Sequence, residues 1–179
     1  MEAESRPLTE VGIGVTTFDF ERVFRAEYSG VVRMISRIVR DPARAQELAA
    51  EVFWKLSQTP GAQGARMSGW LYRTASRMAL DELRRQLRRQ KYEQFFTFGG
   101  TTPTPEALEI EKEEHRRVRA VLSRLRKAQA ELLVLWSNDF TYEEIAQALD
   151  FNPSSIGTLL RRAEEAFRKE YVRRYGSYE

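Results

Sequence analysis

Apolar positions recur at helical spacing along most of this chain, and no sustained run alternates apolar with polar residues as a half-buried strand does. An all-α fold follows. Asp19 is placed to cap a first helix carrying Phe20, Val23, Phe24, Val31, Ile35 and Ile38 on one face. That helix ends at Asp41-Pro42, a cap-plus-proline pair that starts the next one. In the second helix Ala45, Leu48, Ala49, Val52, Phe53 and Leu56 form the apolar stripe, and Glu47, Glu51 and Lys55 step along an exposed face. The stretch SQTPGAQGARMSG has no period and reads as a loop, with Ser68 as cap of a third helix whose buried face is Leu71, Ala75, Met78, Leu83 and Leu87. From Tyr92 the pattern breaks through Phe95, Phe96 and Phe98, Gly-Gly and Thr-Pro-Thr-Pro, the best domain boundary in the chain. Those phenylalanines either tuck against a neighbouring domain or wait for a partner. Helical stripes resume with Val118, Val121, Leu122 and Leu125, then Leu132, Leu133, Leu135 and Trp136 before a turn at Ser137-Asn138-Asp139. Two small helical domains, residues 19–91 and 107–179, are thus joined by a flexible linker at 92–106, and residues 1–18 form an arm in which VGIGVTT is a short strand or mobile.

Between Phe140 and Arg162 two helix starts follow one another. Thr141 with Glu144 spells a capping box, and Phe140 with Ile145 a hydrophobic staple. Asn152 is a cap, Pro153 a first helical residue, and Phe151 with Ile156 repeats the staple. Two short helices around a tight corner outline a helix-turn-helix, whose second helix enters the DNA major groove; an ordinary helical hairpin is the bland alternative. On that second helix Ile156, Leu159, Leu160, Ala163 and Phe167 face the core, which leaves Ser154, Ser155, Thr158, Arg161 and Arg162 outward as candidate DNA contacts. The amides from Ser154 onward suit a phosphate oxygen. Gly157 marks a close approach, to DNA or to the first helix of the pair.

Charge sharpens this picture more than its total does. Net charge is only +3 and the pI about 9.3, but basic residues cluster at Arg84–Lys91 and Arg161–Arg174. The third helix carries Arg73, Arg77, Arg84, Arg85, Arg88 and Arg89, single-signed toward its end, which points to phosphate as the neutralising partner. With no cysteine, disulfides, zinc clusters and thiol chemistry are excluded. The polar start MEAESRPLTE is no signal peptide, and no apolar run can span a bilayer, so the chain reads as cytoplasmic without membrane insertion. Nucleotide-loop, nucleophile-elbow and zinc-protease motifs are missing. His115 lacks suitably spaced partners and reads as a surface residue. No catalytic residue, metal ligand or cofactor is expected.

These segments together resemble a sigma factor of the sigma-70 family, of the small extracytoplasmic-function type, from about Phe20 to Tyr171. Glu47, Glu51 and Phe53 match a D-x-x-QE-x-F pattern, Trp70–Arg73 and Ala79–Arg85 match WLYRIARN running into ALDELRR, and Thr141–Ala146 with Ile156–Ala163 match SYEEIA…GTVKSRLHRAR. The resemblance implies a subunit that binds core RNA polymerase and directs it to promoter DNA, with an anti-sigma factor as a further partner. Glu47, Glu51 and Lys55 would dock on the polymerase clamp. The helix from Trp70 to Lys91 would open and hold the −10 element, with Arg73, Arg77, Arg84, Arg85, Arg88 and Arg89 along the phosphates. Trp70 and Tyr72 would supply faces for unpaired bases, unless the tryptophan is core. The C-terminal domain would read the −35 element.

The chain departs from the pattern at several points. Ala50 stands for the usual glutamine, Ser76-Arg77 for Arg-Asn at the −10 pocket, and Arg126-Lys127-Ala128 for a proline-containing break. Asp150 replaces the turn glycine, which aspartate tolerates. PSSIGTLLRR replaces EGTVKSRLHR on the reading helix, so the DNA sequence it reads differs from the family's common one. The competing functions are a helix-turn-helix regulator that does not recruit polymerase and a helical adaptor that binds protein only.

Overall fold

The computed structural model describes residues 18–96 and 106–176. Residues 1–17 of the expected arm, residues 97–105 of the expected linker with Phe98, and the side chains of Phe95 and Phe96 lie outside what is described. Every described element is helical, in the order α1 (Phe20–Val39), α2 (Pro42–Ser57), α3 (Met67–Phe96), α4 (Glu106–Leu122), α5 (Lys127–Trp136), α6 (Tyr142–Leu149) and α7 (Ile156–Tyr175).

The caps written in the sequence are made. Asp19 Oδ1 accepts from the Arg22 amide at 2.9 Å, and Asp41 Oδ1 from the Arg44 amide at 3.0 Å. Between them α1 stops at Arg40, whose left-handed backbone (φ 59°) turns the chain into α2. All six stripe residues of α2 are buried. Phe53 sits at the centre of the first unit, its ring 5.0 Å from that of Phe24 and 5.8 Å from that of Tyr28. Aromatic pairs at such offsets add roughly 0.5–1.5 kcal/mol beyond area burial.

Helix α3 differs from its predicted limits at both ends. It begins at Met67, where the amide bonds to the Gly64 carbonyl, so Ser68 lies inside the helix and is not its cap. At the other end it persists to Phe96 instead of breaking at Tyr92. Residues 92–96 contain neither glycine nor proline, and the strong breakers begin only at Gly99.

In the second unit Thr141 and Glu144 complete a full capping box on α6. Asp150 occupies the left-handed region (φ 60°, ψ 47°) that the corner requires. One expectation is corrected there: Asn152 caps a 3-10 turn over residues 153–155, and α7 proper starts only at Ile156. Pro153 has no N–H to give, and the Ser155 amide bonds three residues back to the Asn152 carbonyl at 2.9 Å, which tightens the entry turn. Gly157 resolves toward the first helix of the pair, since a Cβ there would touch the Tyr142 ring at 3.4 Å.

The two units do not stand apart. α3 packs against both α5 and α6, and one apolar core runs from Val31 through Phe53, Leu80 and Leu135 to Leu160. No helix among the described residues is long and apolar enough to cross a membrane.

Candidate nucleic-acid interface

The candidate reading face lies on α6 and α7. With Ile156, Leu160 and Ala163 buried, 3.6-residue periodicity turns Ser154, Thr158, Arg161 and Arg162 to solvent and leaves Ser155 half-buried. The amides expected to be open from Ser154 are occupied. Asn152 Oδ1 accepts from the Ser154 amide at 3.0 Å, and the Ser155 amide serves the turn. Anion contact therefore falls to side chains. Arg161 makes an exposed i,i+4 pair with Glu165 at 2.7 Å, which at this exposure contributes little and is easily exchanged for a phosphate.

The arginines of α3 divide into two groups. Arg88 and Arg89, with Lys91, are exposed at the far end. Of the others, Arg77, Arg84 and Arg85 are met within the protein. Arg84 pairs with Asp81 at 3.0 Å and donates to the Ser123 carbonyl at 3.1 Å. Arg85 pairs with Glu82 at 2.9 Å, and Arg77 Nε donates to Glu131 Oε1 of α5 at 2.9 Å. Arg73 is half-buried, its Nε shielded and without an acceptor among the described residues. The single-signed run is therefore partly neutralised by carboxylates that neighbouring turns and helices supply. Trp70 is half-buried against the core. Tyr72 is wedged: its hydroxyl donates to Glu27 Oε2 at 3.1 Å, and its ring meets the Phe140 ring edge-on at 4.7 Å. Burial, reinforced by the Glu27 charge, pushes the phenol up to about 12. Neither aromatic face is freely presented. Ser76 is fully buried, its hydroxyl bonded to the Arg73 carbonyl.

On α2 the acidic face is exposed and braced. Glu47 pairs with Arg44 at 2.7 Å, and Arg44 also reaches the buried Glu82 at 3.1 Å, so the Glu47 carboxylate is oriented from below. The Glu47 hydrogen bond, followed by that to Glu82, raises the Arg44 guanidinium above its ordinary range. Glu51 and Lys55 form the expected i,i+4 pair at 3.4 Å.

Three features were not read from the sequence. Trp54 stands 61% exposed beside Glu51, with the Lys55 ammonium 6.0 Å over its ring. Its signal was legible, since it falls between two buried stripe positions and outside their arc. His115 is half-buried, not superficial, in a crevice with Arg40, Arg116 and Arg119, and its Nδ1 is enclosed without a hydrogen-bond partner among the described residues. Arg119 donates to the Ile38 and Val39 carbonyls at 2.7 and 3.2 Å, and burial followed by the nearby Arg40 charge lowers its pKa. An apolar groove of about 320 Å³ lies between Val118, Leu122, Leu133, Trp136 and Phe167. These contacts depend on how helices distant in sequence pack, which periodicity does not encode.

A helical unit with an exposed, braced acidic face, packed against a unit whose last two helices form a helix-turn-helix with Ser154, Thr158, Arg161 and Arg162 exposed, defines an all-α helix-turn-helix protein. Comparison with known proteins narrows this class. The family described as Sigma-70 region 2 matches residues 23–89, and that described as Sigma-70, region 4 matches residues 115–167. Among curated relatives, the ECF RNA polymerase sigma factor SigK of Mycobacterium sp. (strain KMS) is 23% identical over 149 residues, spanning 79% of this chain and 77% of that protein. The SigK of strain JLS matches equally. The sigma factor RpoE of Bartonella quintana, solved in complex with the anti-sigma factor NepR, shares the fold with a TM-score of 0.50 at 14% identity, over 86% of this chain and 97% of that one. The chain belongs to the sigma-70 family, as a sigma factor of the extracytoplasmic-function type. Its function is to bind core RNA polymerase and direct it to promoters.

Proposed function

We propose how the named residues divide that work. The face of α2 bearing Glu47, Glu51 and Lys55, with Trp54 at its centre, docks on the polymerase clamp. The α3 helix holds the −10 element, with Trp70 and Tyr72 toward the bases and Arg73, Arg77, Arg84, Arg85, Arg88 and Arg89 along the phosphates. The N-terminal part of α7, through Ser154, Ser155, Thr158, Arg161 and Arg162, reads the −35 element. Residues 19–91 and 107–179 are the two working domains, and 92–106 is the linker that spans the polymerase between them. The protein performs no chemistry itself and acts in the cytoplasm, and an anti-sigma factor is its regulating partner, as NepR is for the Bartonella protein.

The observation that carries the docking assignment is an exposed tryptophan set among fixed charges on a helix whose other face is buried. Tryptophan dominates interface hot spots when such a ring can be covered. The double variant Glu47→Lys/Glu51→Lys is expected to lose assembly with core polymerase, measured by native gel or sedimentation, while its helical circular dichroism is unchanged. Normal holoenzyme assembly by this variant would remove α2 from the docking role.

A further inference from the structure

The stretch of α3 from Gly69 to Arg84 carries most of the proposed −10 contacts, and the same stretch is covered by α5 and α6. The covering groups are of a particular kind. On the Arg77 guanidinium sits the Glu131 carboxylate, 2% exposed. Against the Tyr72 ring sits the ring of Phe140. At Gly69 the backbone comes so near α6 that a Cβ there would lie 3.2 Å from the Ala148 Cα. Outside this patch the two units are held by Arg37 on the Ser137 carbonyl at 3.3 Å and on Asn138 Oδ1 at 3.2 Å, and by Arg119 on the end of α1.

We propose that the α5–α6 face is an intramolecular competitor for single-stranded promoter DNA, with the Glu131 carboxylate in place of a backbone phosphate on Arg77 and the Phe140 ring in place of an unstacked base on Tyr72. The proposal rests on the reading of α3 as the −10 helix. The chemistry of exchange is matched. A guanidinium donates to a carboxylate or a phosphate through the same N–H groups, and the Tyr72 surface that the Phe140 ring covers edge-on is closed to a base. A buried carboxylate is tolerated only while paired, so Glu131 ties closure to occupation of Arg77. When the units part, water solvates Glu131 and DNA takes Arg77. The other working faces stay open throughout: Glu47, Glu51 and Trp54 on α2, and Ser154, Thr158, Arg161 and Arg162 on α7, are exposed in this closed arrangement. Closure therefore gates one step, capture of the opened strand, and leaves polymerase docking and duplex reading available.

The chain has no cysteine, so introduced thiols report cleanly. Dyes on Ser57→Cys in α2 and Lys169→Cys in α7 follow separation of the units, and anisotropy of a labelled random-sequence single-stranded 20-mer follows binding. Glu131→Gln/Phe140→Ala is expected to lower energy transfer and to tighten binding of the 20-mer at least tenfold, a gain erased by adding Arg77→Ala. Unchanged transfer and unchanged binding overturn the competitor and leave the −10 reading standing. Lowered transfer without tighter binding overturns both, because α3 is then free and still binds no strand. A second variant covers the case in which that one fails to fold. A Cβ at Gly69 would lie 3.2 Å from the Ala148 Cα and 3.3 Å from its amide nitrogen, so Gly69→Val presses α6 off α3 without touching Glu131 or Phe140. It is expected to lower energy transfer and to bind the 20-mer at least tenfold more tightly than the parent chain, and lowered transfer with unchanged binding overturns the proposal.

Discussion

At the scale of single residues, Tyr72 is held from two sides, and both holds can be tested. A Cβ on Gly30 would come within 2.3 Å of the Tyr72 hydroxyl, a separation no real pair adopts. Gly30→Ala gains about 1 kcal/mol of helix propensity. It also forces a ring already pinned by Glu27 and Phe140 to move, at roughly 1–3 kcal/mol for an overpacked site. The clash wins, so a lower urea midpoint is expected, and a raised one would show that the ring yields freely. The phenol itself gives a pH signature. It titrates near 12 in the fold against an ordinary 10, so folding favours the protonated form. That contribution is complete below pH 10 and is lost as pH rises from 10 towards 12. Between pH 9 and 11 the wild-type midpoint should fall relative to that of Tyr72→Phe, which has no proton to lose at this position. Parallel curves would count against the shift. None of this was legible in the sequence, where Tyr72 is one aromatic in a WLYR run and nothing connects it to Gly30 or Phe140.

At the scale of elements the sequence was far more informative, because caps and stripes are local physics. Asp19, Asp41 and Thr141 cap as their types and spacing demand, and Asp150 takes the left-handed corner. The misses share one cause: the start of α7, the start of α3 and its overrun to Phe96 each turn on which backbone amide finds which carbonyl within a turn, and side-chain pattern does not specify that. The reading helix keeps its scaffold and changes its face. Arg162 is exposed there, while its neighbour Arg161 is paired with Glu165. Arg162→Ala should weaken holoenzyme binding to a cognate promoter by roughly 1–3 kcal/mol if the guanidinium reads a base. An equal loss on all duplexes, with a shallower salt dependence, would identify a phosphate contact instead.

For the whole molecule, the two-unit division was readable from the loss of periodicity after Tyr92, but the seam between the units was not. Arg77 looked like one more cation for DNA until Glu131, far along the chain, met it. Since one apolar core passes through α3 into α5 and α6, the free chain should unfold in a single transition, with calorimetric and van't Hoff enthalpies in agreement. Two resolved transitions would mean that the units melt independently. The seam also has a bearing on how such a protein diverges. Arg37, Arg84 and Arg119 all reach across it to main-chain oxygens, those of Ser137, Ser123, Ile38 and Val39. A carbonyl is present whatever side chain the position carries. Substitution drift at those accepting positions is therefore nearly silent for these bonds, while the rest of the joint, the Glu131 pair, the Asn138 and Gln86 acceptors and the Tyr72–Phe140 contact, depends on which side chains are kept.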